Sequence, residues 1–450
     1  MSNEIEPAQP PERKRIAVFL DGTWNTLDDN TNVWRLKALC AQRGTDGVPQ
    51  VAYYSRGVGT TWGEKVRGGV LGVGIDRNVA RAYEWLVETY ELGDEIFIFG
   101  FSRGAYTARS LAGFIALCGL LKPGAPLGTS QLFDRYRRGD EKRTVRWLKA
   151  RAKDGTLLDA SPEERWMITY AMSAPVKMVG VWDTVGSLGV PTTIPGLAKI
   201  PGLSRSSYAF LHTGLRLPIE NGYHALAVDE HRAAFAPTLW TKKFRDGVPL
   251  SEMAPPRAVA NVEQRWFVGA HANVGGGYRD DLLSQLPLRW IMEKAARHGL
   301  AFRADVVLEP GVLEVRPRDS YGEFAKGLYR YVAQPFYRPI GAPPEVSQGE
   351  RDEIVNETID ASVFERWRAD RSYRPQNLEA WGRRFKVEPG ALTATVFAYD
   401  PTTVVPERSK FDLNTADPER VSAHRAGGAA VACFNESPSS ELSNRWVRDR

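Results

Sequence analysis

The 450-residue sequence predicts an α/β fold, in which helices cover both faces of a mostly parallel sheet. Short apolar runs that are rich in β-branched and aromatic residues alternate with longer segments of helical periodicity. Each apolar run ends at a polar or glycine-containing turn, which is typical of buried strands. The sequence has no internal repeat and no apolar stretch of about 18 residues, so neither a solenoid nor a membrane-spanning helix is predicted.

The individual elements follow from local composition. The first predicted strand is short and rich in β-branched residues, and an Asp-Gly-Thr turn ends it. The first predicted helix carries Val79, Ala82, Tyr83 and Leu86 on one face, because these residues recur at the spacing of helical turns. The predicted strands are 16–20, 51–54, 96–99, 176–182, 265–270 and 392–398, and the predicted helices are 78–91 and 105–121.

The chain divides into three predicted parts. Residues 1–14 are polar and carry both charge signs without an apolar core, so we expect a disordered N-terminus and not a secretory signal peptide. Residues 15–385 form the predicted α/β domain, with insertions at 131–166 and 189–217. Beyond about residue 300 the chain is expected to be irregular and rich in proline, and residues 386–450 to form a partly irregular C-terminal extension.

Composition excludes several classes of protein. A net charge of +5 is small for this length, so no nucleic-acid partner is predicted. The cysteines, Cys40, Cys118 and Cys433, show neither a disulfide framework nor the spacing of metal ligands, which fits a reducing compartment. Without a signal peptide or transmembrane segment, we expect a cytoplasmic protein that can still contact membranes peripherally.

The two insertions have different compositions. Nine basic residues lie between Arg135 and Lys153, mixed with Asp140 and Glu141. One interpretation is a solvated helical face, and the other is a basic rim over the site that contacts anionic head groups. The second insertion is rich in proline, glycine and leucine, and we interpret it as a cap or lid.

The pentapeptide Gly-Phe-Ser-Arg-Gly at residues 100–104 predicts the reaction class. It lies between a predicted strand and a predicted helix, which is the context that the G-x-S-x-G nucleophile elbow requires. Gly100 and Gly104 leave room for the close approach of strand and helix, while the sharp turn exposes the Ser102 hydroxyl. Ser102 is therefore the predicted nucleophile.

A serine nucleophile needs a histidine base and a carboxylate that orients this histidine. Of the six histidines, His271 alone follows a convincing buried strand and enters a glycine-rich loop. Asp183 ends the predicted strand 176–182, at the sheet edge where catalytic groups gather. The order Ser102, Asp183, His271 is that of α/β-hydrolases.

One segment competes for the acid and base roles. Residues 224–232 contain Asp229, His224 and His231. We interpret this segment as a structural ion-pair network, although Asp229 stays the main alternative to Asp183 as the acid.

The predicted oxyanion hole uses backbone amides. The N–H of Arg103, directly after the nucleophile, supplies one donor, and Gly22 or Thr23 in the loop after the first strand supplies the other. Asp21 would buttress this loop, and the alternative is an ordinary Asp-Gly turn. This chemistry requires neither a metal ion nor an organic cofactor.

Six segments of the chain together follow the pattern of one known family. They are FLDGTWN (19–25), GFSRGAYTAR (100–109), VGVWDTVGSLG (179–189), HALAVDEHRAAFAP (224–237), WFVGAHANVGGGY (266–278) and YRPQNL (373–378). These segments resemble the catalytic domain of type VI secretion phospholipase effectors (Tle1-like), an α/β-hydrolase family and formerly a domain of unknown function. The resemblance covers about residues 14–385 and implies a Ser-Asp-His lipase in which Ser102, Asp183 and His271 match the motif positions. The sequence departs from the family at residues 272–273, where Ala-Asn replaces the usual Ser-Asp after the histidine.

The residues and the resemblance together predict a serine esterase or lipase that hydrolyses acyl esters through an acyl-enzyme. The resemblance implies glycerophospholipid substrates, export by a type VI-like route, and a secretion or immunity partner if the protein is an effector. Two alternatives stay open. One is a soluble non-lipid esterase or thioesterase, and the other is a hydrolase-fold binding module that no longer uses its elbow.

Overall fold

The computed structural model describes residues 13–22, 30–57, 70–138, 143–186, 219–245, 257–279, 281–331, 333–343, 345–347 and 350–406. These residues belong to one compact unit, Met1–Arg408. The second predicted insertion, most of the predicted N-terminal segment and the end of the C-terminal extension lie outside the described residues. The predicted domain boundaries therefore stay predictions.

Strands and helices alternate along most of the chain. The strands are β1 Arg15–Leu20, β2 Gln50–Ser55, β3 Glu95–Phe101, β4 Leu120–Leu121, β5 Ala171–Met172, β6 Val176–Trp182, β7 Ile219–Ala227, β8 Thr241–Arg245, β9 Val262–Phe267, β10 Glu345–Ser347, β11 Glu350–Ile354, β12 Glu357–Ile359 and β13 Val396–Phe397. The helices are α1 Asn32–Leu39, α2 Val70–Thr89, α3 Arg103–Cys118, α4 Thr129–Arg138, α5 Val145–Lys153, α6 Pro162–Tyr170, α7 His271–Gly275, α8 Gln285–Arg297, α9 Ser320–Glu323, α10 Ala361–Ala369 and α11 Gln376–Phe385.

Within the described residues, the central sheet has eight strands in the order β13-β12-β9-β7-β6-β3-β1-β2. Every neighbouring pair is parallel except β12 and β13. The chain passes from β1 to β2 on one side and to β3 on the other, so the strand order reverses at β1. Ligands of open α/β sheets bind at the carboxyl ends of the strands beside such a reversal.

Helices cover both faces of this sheet, because its strands carry apolar side chains on both sides. In β3, Ile96 and Ile98 pack into the core formed with α2 and α3. Phe97 and Phe99 of the same strand pack into the opposite core, formed with α1 and α8. This arrangement confirms the predicted α/β class with a mostly parallel sheet.

The first insertion packs beside the sheet-covering helices. Phe133 and Tyr136 of α4 contact Phe114 of α3, which lies about 17 Å along that helix from its first residue, Arg103. Two of the basic residues, Arg135 and Arg143, form ion pairs with Glu164 of α6. This packing agrees with the helical face of the first interpretation of the basic segment, but Arg135 in that face is buried and not solvated.

The region after residue 300 is more regular than expected. β12 and β13 extend the central sheet, and α10 and α11 cover this end with a third apolar core. In this core Val363, Phe364 and Trp367 share one face of α10, while Leu378 and Trp381 share one face of α11. The expectation of an irregular chain here is wrong for these elements, because their apolar residues do follow helical spacing among the many arginines.

Candidate active site

Ser102 lies on a sharp turn between β3 and α3. Its backbone has φ 59° and ψ −123°, a conformation that non-glycine residues rarely adopt. A Cβ atom on Gly100 would overlap the backbone of Gly104, and a Cβ on Gly104 would overlap the backbone oxygen of Leu20. Both glycines are therefore needed for strand and helix to meet here, as the sequence predicts.

His271 is the first residue of α7, four residues after the end of β9. Its Nε2 lies 2.8 Å from the Oγ atom of Ser102. The rings of Phe101 and Phe235 contact the imidazole, with centroid distances of 4.7 and 4.9 Å. These two rings restrict the orientation of the imidazole toward the serine.

Asp183 directly follows β6, with a positive φ of 38°. Its Oδ2 lies 2.5 Å from Nδ1 of His271. The backbone N–H of Asp183 donates to the carbonyl of Ala225, and its Oδ1 accepts from the N–H of Ala227. The structure thus brings Ser102, His271 and Asp183 into one hydrogen-bonded chain at the carboxyl edge of the sheet.

Sequence reasoning missed Arg338, which contacts the same carboxylate. Its Nη1 donates to Oδ1 of Asp183 at 2.6 Å, and its Nη2 donates to Oδ2 at 2.9 Å. Both side chains are 0% exposed. The two residues are 155 positions apart, and no local motif marks the arginine.

The electrostatics of these groups suit a neutral base beside a charged acid. Burial alone would raise the pKa of Asp183, but the charges and hydrogen bonds of Arg338 and His271 hold it well below its ordinary value. Burial lowers the pKa of His271 below 6.5, although the hydrogen bond and charge of Asp183 act in the opposite direction. At neutral pH the imidazole is therefore uncharged and can accept a proton from Ser102.

A second carboxylate supports the backbone of the histidine. Glu230 accepts a hydrogen bond from the N–H of His271 at 3.2 Å and another from Ser320 Oγ at 2.8 Å. Arg232 donates to both oxygens of Glu230 at 2.8 Å. Burial opposes ionisation of Glu230, but Arg232 lowers its pKa to about 2, so the carboxylate stays charged. The ion-pair network predicted for this segment therefore reaches the site.

His224 holds the backbone next to the acid. Its Nε2 accepts from the N–H of Thr184 at 3.0 Å, and its Nδ1 lies 3.3 Å from Oε1 of Gln264. Burial, with the charge of Arg109, lowers the pKa of His224 to about 3. This ring stays neutral and anchors the residue that follows Asp183.

Asp229, the alternative acid, anchors a loop. Its Oδ2 accepts from the N–H of Gly269 at 2.7 Å and from the hydroxyl of Tyr373 at 3.1 Å. Nearby, the ring of His231 packs against Tyr337, with centroids 4.8 Å apart. The structure places neither residue against the nucleophile.

The predicted oxyanion loop is held by Asp21. The carboxylate accepts from the hydroxyls of Thr31 and Tyr54 at 2.6 and 2.9 Å, and from the N–H of Gly22 at 2.7 Å. Because the Gly22 amide already donates to this carboxylate, Thr23 is the stronger candidate of the two. Thr23 lies outside the described residues.

Arg103 supplies the other predicted oxyanion donor. It is the first residue of α3, where a backbone N–H has no acceptor within its own helix. Since this amide directly follows the serine, it can point at an anion above Ser102. The oxyanion roles stay predictions.

Asn273, at a position where the resembled family has aspartate, makes two hydrogen bonds through its side-chain oxygen. Oδ1 accepts from the N–H of Ala270 at 3.0 Å and from the N–H of Arg318 at 3.1 Å. The amide therefore supplies an acceptor to the histidine loop without adding a charge.

Two features of the described residues bear on other functions. No group of three or more histidine, cysteine or acidic residues in that part of the chain could hold a metal ion. Among the helices described, none combines the length and apolar character needed to cross a bilayer.

The place of each group in the sheet defines the class of protein. Ser102 follows β3, Asp183 follows β6 and His271 follows β9, and all three lie at one edge of the sheet. A serine on a strained strand-to-helix turn, followed in the chain by an acid and then a histidine, is the arrangement of α/β-hydrolases. The chain has this hydrolase fold.

Within that class, the chain belongs to the family described as "T6SS, Phospholipase effector Tle1-like, catalytic domain", whose profile matches residues 14–294. This confirms the family that the sequence segments indicated, although the late segment 373–378 lies outside the matched residues. Membership of a phospholipase family supports an ester-hydrolase function.

Three individual proteins are also similar to parts of the chain. The uncharacterized protein YEL023C of Saccharomyces cerevisiae is 25% identical over 250 residues, which cover 51% of this chain and 33% of that protein. A solved uncharacterized protein from Pseudomonas aeruginosa is 17% identical, with a TM-score of 0.40, 68% of this chain covered and 49% of that one. The Tle1 effector bound to the VgrG spike of the type 6 secretion system is 19% identical, with a TM-score of 0.30 and coverage of 60% and 52%. The chain thus spans about one third of the curated relative that it matches.

Proposed function

We propose that this protein is a serine esterase that hydrolyses acyl esters of phospholipids. The observation that carries the proposal is the continuous hydrogen-bonded chain from Ser102 Oγ through both nitrogens of His271 to Asp183. Such a chain gives a serine hydroxyl the base that it lacks by itself. The phospholipase description of the family supports the lipid substrate.

The mechanism has two halves. Ser102 Oγ attacks the ester carbonyl while Nε2 of His271 takes its proton, and the tetrahedral intermediate collapses when the imidazolium returns this proton to the leaving alcohol. Water then attacks the acyl-enzyme, with His271 again as base, and releases the fatty acid and Ser102. Asp183 fixes the Nδ1–H tautomer and stabilises the imidazolium. The amide of Arg103 and an amide of the loop after β1, from Thr23 or Gly22, stabilise the oxyanion.

The first test removes the nucleophile. Ser102→Ala should lower kcat/KM for short p-nitrophenyl esters on the order of 10⁵-fold and abolish labelling by a fluorophosphonate probe. Ser110→Ala is the matched control, because this hydroxyl lies on the same helix and donates only to the carbonyl of Tyr106 among the described contacts. Turnover by Ser102→Ala close to that of Ser110→Ala would reject the serine mechanism.

The second test identifies the substrate class. Purified protein is incubated with vesicles of defined phospholipids, with soluble esters and with thioesters, and products are identified by mass spectrometry. We expect release of fatty acid and lysophospholipid from vesicles, with no release by Ser102→Ala. Hydrolysis of soluble esters or thioesters alone would instead support a non-lipid esterase. Absence of both turnover and fluorophosphonate labelling would favour an idle binding module.

Export by a type VI-like route, with a secretion or immunity partner, is proposed from the family description alone. The test compares culture supernatants of a host strain with and without a working type VI apparatus. Equal amounts of the protein in both supernatants would argue against this route.

A further inference from the structure

We propose that Arg338 is a positioning residue for this reaction, which locks the Asp183 carboxylate against His271 and disfavours protonation of the imidazole before substrate binds. The inference rests on the proposed esterase function and adds to it a residue from a distant part of the chain. Three kinds of observation support it: the geometry of the guanidinium, the anchoring of its backbone, and the charge balance around the histidine.

The guanidinium makes four hydrogen bonds that fix its plane. Nη1 bridges Oδ1 of Asp183 and the carbonyl of Ala227, at 2.6 and 2.9 Å. Nη2 bridges Oδ2 of Asp183 and the carbonyl of Phe235, at 2.9 and 2.6 Å. Because the fork is planar and rigid, it sets the rotation of the carboxylate that accepts from His271. The hydrogen bond to the carbonyl of Phe235 also fixes the backbone of this residue, whose ring contacts the imidazole of His271.

The backbone that carries Arg338 is anchored on both sides. Two residues earlier, the N–H of Phe336 donates to the carbonyl of His231 at 2.8 Å. Three residues later, the N–H of Gly341 donates to Oε1 of Glu357 at 2.9 Å. The side chain therefore reaches Asp183 from a fixed origin.

The charge of Arg338 also changes the balance at the histidine. A carboxylate alone stabilises the imidazolium and raises the histidine pKa. Here Asp183 is shared between His271 and a fully buried cation, so less of its charge favours protonation of the imidazole. Removing the cation while keeping the carboxylate should therefore raise the pKa of His271. Besides Asp183, the charged groups that act on His271 are Glu230 and Arg232. The neighbouring His224 is exposed to the charges of Arg109, Asp183 and Arg338.

Arg338 lies far from the triad residues in the chain, in a part that the family profile does not cover. The family profile matches residues 14–294, so the arginine lies outside the part that defines the family. A fragment that ends near residue 294 would contain Ser102, Asp183 and His271 and would leave Asp183 without its guanidinium.

Two substitutions separate charge from geometry in the full-length chain. Arg338→Gln removes both, so we expect kcat/KM to fall about 10²-fold, mainly through kcat. The acid limb of the pH profile, where kcat/KM declines as the pH falls, should move up by roughly one pH unit. Arg338→Lys keeps the charge but not the paired hydrogen bonds, so kcat should fall while the acid limb stays near its wild-type position.

Arg135→Gln is the matched control for stability. Arg135 is also nearly buried and bonded to two acids, Glu163 and Glu164, in the insertion that packs along α3. Its loss should lower the melting temperature, as loss of Arg338 should, and leave the pH profile unchanged. A folded Arg338→Gln with wild-type kcat/KM and acid limb, or an equal shift of the limb in Arg135→Gln, would overturn the inference. If Arg338→Gln does not fold, kcat of Arg338→Lys is the test, and a wild-type kcat in that variant would overturn the inference.

A readout without substrate separates this inference from the esterase proposal. The Nδ1 proton between His271 and Asp183 should give a low-field proton resonance in nuclear magnetic resonance spectra. We expect Arg338→Lys to move or broaden this resonance and Arg135→Gln to leave it in place. An inactive wild type that shows this difference would reject the esterase and keep the positioning role. An active wild type whose resonance is the same in Arg338→Lys would reject the positioning role alone.

Discussion

The carboxylates that follow two neighbouring strands, Asp183 after β6 and Asp229 after β7, are both buried at the same edge of the sheet, yet their partners differ. Asp183 faces the guanidinium of Arg338 and the imidazole of His271. Asp229 accepts from two neutral donors, a backbone N–H and a tyrosine hydroxyl. Burial raises the pKa of Asp229 above its ordinary value, whereas the cation holds that of Asp183 below it. The charge on a buried acid is thus decided by its partners, since burial is common to both.

Because their partners differ, the two carboxylates have different roles at this edge of the sheet. A carboxylate that stays charged can stabilise an imidazolium, which suits Asp183 to the acid role. A carboxylate held by neutral donors instead fixes backbone, and Asp229 exchanges two hydrogen bonds with Gly269, two residues before His271. Both acids therefore act on the histidine, one through the ring and one through the loop that carries it.

Among the tests of the difference between the two carboxylates, the largest effect is expected for Asp183→Asn. The amide cannot hold the histidine in the required tautomer, so kcat/KM should fall about 10⁴-fold. Arg338 would also lose its counter-charge in a buried place, which should lower the free energy of unfolding by about 3–5 kcal/mol. Steady-state kinetics and chemical denaturation measure the two effects. Activity within tenfold of the wild type would mean that another acid orients His271.

A smaller effect is expected from pH alone. The neutral form of His271 is the active base and its pKa lies below 6.5, so kcat/KM should be constant above that value and fall as pH drops below it. The pKa of Asp183 is lowered, so its carboxylate stays ionised over this range. We therefore expect a single-proton acid limb in kcat/KM measured with a soluble ester. A two-proton limb would mean that an acid with a raised pKa, such as Asp229, titrates with the histidine.

The sequence predicts well what is local. β6 has the predicted bounds, because five of its seven residues are apolar and the polar residue Asp183 directly follows them. The nucleophile elbow can be recognised in the sequence because both of its glycines lie within two residues of Ser102. Both glycines are required by the close approach of β3, α3 and the end of β1. β7 is harder, because Asn221 and His224 interrupt its apolar pattern although both are buried.

What the sequence could not predict depends on distant partners. Asn221 and His224 are tolerated in a central strand because the backbone of Lys177 and Thr184 satisfies their polar atoms. Lys177 lies in the neighbouring strand β6, and Thr184 lies just after it. Arg338 is a stronger case, because nothing near it in the chain distinguishes it from the other arginines. Only the folded chain places it against Asp183.

The smallest effect is expected for Asp229→Asn. The amide oxygen can accept from both Gly269 and Tyr373, so the loop should stay in place and kcat/KM should change by no more than about threefold. A carboxyl whose pKa is higher in the folded than in the unfolded chain costs stability once pH rises above the unfolded value, near ~3.9. The variant removes this cost, so its stability relative to the wild type should improve from acidic to neutral pH. Denaturation at several pH values, with kinetics at each, measures both quantities. A loss of activity comparable to that of Asp183→Asn would show that the two carboxylates form one charged unit around His271, and the contrast between them would then fail.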